Sequence, residues 1–123
     1  MDRSEFEHIV VDCLENLPEF FKQNIDNVHF VVEDYPSNEQ LQKVKAQSKY
    51  NLLGLYEGVP LKYRGIGYGM HPVLPDKITL FQKNIESITR DINQLKLKIR
   101  EVLMHEIGHY FGMTEDEIRN AGY

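Results

Sequence analysis

The chain of 123 residues contains no tryptophan and a single cysteine. One cysteine excludes an internal disulfide and any cysteine-rich structural zinc site. Cys13 falls on the stripe Phe6, Ile9, Val10, Cys13, Leu14, Leu17, which has the spacing of one helix face, so a packed and inert thiol is expected there. Long apolar runs are also missing. The N-terminal MDRSEFEHIVVDCLE mixes charges throughout and nothing downstream approaches transmembrane length, so no membrane association and a cytoplasmic location are expected. A basic excess is lacking too: nineteen acidic residues against fourteen basic ones give a net charge of -5, which disfavours nucleic acid as a partner.

What is present is the composition of an ordinary globular protein, with 41% hydrophobic and 27% charged residues, enough for one domain spanning residues 1–123. Residues 3–17 read as an amphipathic helix that Pro18 ends or redirects. VHFVVED reads as a strand with Val28, Phe30 and Val32 on one face. Ser37 and Gln40 form the capping-box pattern of a short helix in SNEQLQKVKAQ. NLLGLYEGVPL reads as a second strand and turn, KYRGIGYGMHPVLPD as a long loop able to order on ligand binding, and KITLFQKNI as a third strand. Asp91 can cap a final helix carrying Ile92, Leu95, Ile99, Val102 and Leu103, with Gly112 just past its end. Residues 92–111 would span about 30 Å, the width of a small domain.

The chemistry concentrates at the end of that helix, in HEIGHYFG. His105 and His109 are four residues apart, so their imidazoles project from one helix face and can share a tetrahedral cation. Two neutral imidazoles with an oxygen donor suit Zn2+, which lowers the pKa of bound water to about 7. Glu106, rotated by about 100° on the helical wheel, can flank the cation and act as general base. HExxH alone fixes few positions, but Gly112 and Glu115 extend it to HExxHxxGxxE, a pattern expected by chance in on the order of one in several thousand such chains.

HEIGHYFGMTEDEI, together with LLGLYEGVPL, LPDKITLFQKNIE and VVEDYP in matching order, resembles the small bacterial zincin-like metallopeptidases, sometimes called minimal metalloproteases. The resemblance implies an α+β fold: a small mixed β-sheet packed on helices, with the long C-terminal helix carrying the active site below a sheet edge. It implies zinc-dependent peptide hydrolysis, with a peptide or flexible protein segment as substrate. The motif is also similar to that of the metzincins, in which a residue three beyond the glycine reaches the zinc. That residue is Glu115 here, in place of the histidine of the larger enzymes. With fourteen residues after His109, the chain is expected to lack their methionine turn and C-terminal subdomain. Zincins in general place the scissile bond along a sheet edge, which KITLFQKNI is expected to form.

Several neighbours carry a second reading. Thr114 can cap a last short helix with Glu117 as its partner, leaving Glu115 and Asp116 as first-turn acids. The third ligand is therefore Glu115, Asp116, or a group from water or another chain. His71, Arg64, Tyr68 and Tyr123 are candidate donors to an oxyanion, each with a surface or packing role as its alternative. His8 and His29 lack metal spacing. Met104, Ile107 and Phe111 should be core that holds the motif helix still. The leading function is a zinc peptidase with His105, His109 and Glu115 as ligands and Glu106 as base. Its rival is a zinc-binding interaction module that uses the same ligands without catalysis, and a metal-free helical packing protein comes third.

Overall fold

The computed structural model describes residues 1–65 and 75–123. Helix α1 (Arg3–Glu15) begins where the Asp2 carboxylate accepts the Glu5 amide, and α2 (Glu19–Asn24) follows directly after Pro18. Strand β1 (Val28–Glu33) leads to α3 (Asn38–Lys43), which carries the expected Ser37–Gln40 capping box. Then come β2 (Gly54–Glu57), a short 3-10 turn at Leu61–Tyr63, β3 (Asp76–Phe81) and α4 (Gln82–Ser87). The long helix α5 (Ile92–Tyr110) and the short α6 (Glu115–Asn120) end the chain. Of the expected loop, residues 66–74, with Tyr68 and His71, lie outside the described residues.

The three strands form one mixed sheet in the order β1-β3-β2. β1 runs parallel to β3 with Val28 opposite Asp76, and β2 runs antiparallel to it with Gly54 opposite Leu80. The KITLFQKNI segment is thus the middle of the sheet, which corrects the expectation that it forms the edge over the site. The cause lies in its side chains: Ile78, Thr79, Leu80 and Phe81 are all buried, so both faces are covered and no edge is left for a further strand. Its second half is not strand at all, since Gln82–Ser87 turns into α4. The edge strand beside the motif helix is β2.

The core lies between the sheet and α5, with α1 packed beside that helix and tied to β1 by the Arg3 guanidinium, which donates to the Val32 carbonyl. Phe6 and Val10 of α1, Ile78 and Leu80 of β3, Ile85 of α4, and Leu95, Ile99, Leu103 and Ile107 of α5 form one cluster. Burying each such side chain stabilises the fold by roughly 1.5–3 kcal/mol before the entropy of ordering it is subtracted. Met104 and Ile107 are buried as expected, and Phe111 is half-buried against Phe20 and Phe21. Ile92, expected on the apolar side, is largely exposed in the first turn. Cys13 is half-buried against the core, and burial pushes its thiol pKa up, away from thiolate chemistry. No helix among the described residues is long and apolar enough to cross a membrane.

Candidate metal centre

α5 is fixed at both ends. Asp91 accepts the Gln94 amide at its start. At its finish the chain passes through Gly112 at φ 88°, where the Gly112 amide donates to the His109 carbonyl and the Met113 amide to the Gly108 carbonyl. These two bonds make a Schellman cap, which needs the left-handed conformation that glycine adopts without steric cost. The reversal delivers α6, whose Thr114–Glu117 capping box orders its first turn. α6 is seated by Ile118, which is 1% exposed and packs where a side chain on Gly108 would stand, 2.8 Å from the place of its Cβ.

The turn places Glu115 over the histidine pair. Its Oε1 lies 3.1 Å from His105 Nε2 and 2.7 Å from His109 Nε2, and the three donor atoms lie within 4.8 Å of one another. The second Glu115 oxygen faces the Arg119 guanidinium at 3.9 Å. Asp116, one residue on, is exposed and lines neither neighbouring cavity, so the structure brings Glu115 and not Asp116 to the pair. Thr114 caps α6 while Glu115 reaches the histidines, so the cap and the approach of Glu115 to the pair are compatible. On its other side His105 meets the Tyr123 main-chain oxygen, 3.1 Å from Nδ1. Although burial opposes its charge, this contact, Glu115 and Glu106 raise the His105 pKa. The Glu115 carboxyl is held below the usual range: burial works against the charge, but hydrogen bonds from His105 and His109 outweigh it.

Glu106 is 7% exposed, beneath the edge strand. Gly54 of β2 permits this close approach, since a Cβ there would stand 2.6 Å from Val102 Cγ1 and 3.3 Å from Glu106 Cγ. Burial pushes the Glu106 pKa up; His109, His105 and the Tyr56 main-chain N–H pull it down, and Glu115 adds to the rise. A carboxylate raised towards neutrality beside a solvent-open cleft is suited to taking and returning a proton. Tyr56 is itself tethered. Its hydroxyl donates to Asp76, and burial with that carboxylate drives the phenol far above its ordinary pKa.

Arg64 does not reach the cleft. Its guanidinium pairs with Asp76 at 2.8 Å, donates to the Asp26 and Val59 carbonyls and lies over the Tyr110 ring, so it ties the segment after β2 to the fold. His8 and His29 are exposed and take no part in the His105, His109 and Glu115 group. Two cavities flank Glu106. One, of about 540 Å³, is walled by Leu52, Leu55, Tyr63 and Met113; the other, of about 440 Å³, holds Asn51, Lys98, Arg119 and Tyr123. Sequence reasoning missed Tyr56, Gly54 and Gly108, whose importance depends on what lies opposite them in space.

The zincin-like metallopeptidase family profile matches residues 25–123, which include the whole cluster. The chain belongs to this family. Among solved structures, a conserved hypothetical protein of T. thermophilus is similar to this zincin-like chain with a TM-score of 0.58 and 19% identity, over 98% of each chain. That likeness concerns the shared fold alone. No curated protein matches the chain.

Two imidazole nitrogens and one carboxylate oxygen, converging on a point open to a cavity, are a donor set that fits zinc as a three-ligand site.

Proposed function

We propose that the protein is a zinc-dependent peptidase in which His105, His109 and Glu115 hold the metal and Glu106 is the general base. The convergence of these three donors beside a buried carboxylate supports the reading most strongly. When bound, zinc supplies a Lewis acid that polarises a carbonyl and lowers the pKa of water to about 7. Glu106 accepts a proton from the attacking water and passes it to the leaving amine nitrogen, so the carboxylate is regenerated at each turnover. Closed structural zinc sites use four protein ligands and have no need of a buried carboxylate alongside, which weighs against a purely interacting module.

The substrate is an extended peptide or flexible protein segment. β2 is the edge strand and its residues line both cavities, so a peptide adding to it as a further strand would run past Glu106. The 540 Å³ cavity suits a bulky apolar side chain next to the scissile bond. Incubating the zinc-loaded chain with a mixed peptide library should give cleavages beside such residues, read by mass spectrometry. A chelator should stop cleavage and added zinc restore it. Intact peptides throughout, with zinc bound, would leave the interaction module as the better reading.

A further inference from the structure

We infer that the Tyr123 main-chain oxygen is a positioning group for the metal site, holding His105 in the tautomer and orientation that present Nε2 to the cation. This rests on the reading of His105 as a ligand. The imidazole is addressed on both sides: Nδ1 is 3.1 Å from the Tyr123 oxygen while Nε2 is 3.1 Å from Glu115 Oε1. Both facing oxygens accept, so where a cation would take the place of the proton on Nε2, the Tyr123 oxygen keeps the remaining proton on Nδ1 and the Nε2 lone pair is the one turned to the metal. Outer partners of this kind orient ligating histidines, and losing one typically costs 10–100-fold in affinity, as an order of magnitude. Among the described residues His109 Nδ1 has no such partner, so the control falls on one ligand of the pair.

The oxygen is placed by a built device. Ile118 seats α6 against Gly108. The helix then ends through Gly122 at φ 97°, and the Gly122 and Tyr123 amides donate to the Arg119 and Ile118 carbonyls at 2.9 and 3.1 Å. This turn folds Tyr123 back over His105. The Tyr123 ring is not required, since the contact is made by the main chain and the residue is 43% exposed. The segment that supplies Glu115 thus also supplies the outer partner of His105, and one short helix secures two points of the site.

Three variants test the inference, each read by competitive zinc–chelator titration and by 15N spectra of the histidine rings in the zinc-loaded protein. A chain ending at Ala121 should bind zinc about 10–100-fold more weakly and lose the hydrogen-bonded Nδ1–H signal of His105. Gly122→Val should do the same while keeping every later residue. Its Cβ would meet nothing within 4 Å, but a β-branched residue does not hold that φ. Tyr123→Ala retains the oxygen and should match the unmodified chain in both readouts. Unchanged affinity and an unchanged His105 signal in both the shortened chain and Gly122→Val would overturn the inference, as would an equal loss in Tyr123→Ala. If the unmodified chain takes up no zinc, the ligand assignment fails first and this inference goes with it.

Discussion

Glu106→Gln is expected to reduce peptide hydrolysis by roughly 10²–10⁴-fold, the usual contribution of a general base, while the zinc content stays at the level of the unmodified chain. Glutamine has nearly the shape of glutamate, so the buried position under Gly54 remains filled. What it cannot do is accept a proton from water. The substitution also removes a group that burial places at a disadvantage when charged, so stability should hold or rise slightly. Steady-state cleavage rates and elemental analysis on the same preparation separate the two roles. If Glu106→Gln loses zinc as readily as His105→Ala does, Glu106 is a ligand and the division of labour is wrong.

The second large effect concerns the short segment after Gly112. Glu115→Ala should weaken zinc binding by more than the roughly 10–100-fold typical of outer-partner changes, because it deletes a donor atom and not a support. The helix that carries it should survive, since the Thr114–Glu117 capping box does not involve the Glu115 side chain. Asp116→Ala should stay near the unmodified chain: its exposed carboxylate belongs to the first turn of α6, where an acidic charge is worth about 0.3–1 kcal/mol. Chelator competition on the two variants gives the comparison. A large loss for Asp116→Ala with little for Glu115→Ala would mean that the turn shifts by one residue when metal binds.

These expectations depend on features of unequal visibility in the sequence. α5, its Asp91 cap, its Gly112 exit and the capping boxes at Ser37 and Thr114 are local, so spacing of three or four residues exposes them. The pairing of His105 with His109 is local for the same reason. Strand order is not. KITLF carries four successive residues that are buried, a pattern that fits a strand covered on both faces, and the extension into QKNI hid the change to helix at Gln82. β2 spans only four residues and begins at a glycine whose value lies in the Glu106 and Val102 side chains opposite. Arg64 presents the same difficulty. Its partner Asp76 lies across the segment that follows β2, and only the folded chain shows that this cation is spent on the scaffold. Tyr123 was a candidate for its phenol, yet the contact that matters is made by its main chain, which no side-chain pattern records.

The most direct measurement is a crystal structure of the zinc-loaded chain with anomalous diffraction recorded at the zinc edge. One peak per chain is predicted, bonded to His105 Nε2, His109 Nε2 and a Glu115 oxygen at about 2.0–2.2 Å, with water in the remaining position next to Glu106. A peak lying elsewhere, Glu106 as a ligand, or a fourth protein side chain closing the site would contradict the account.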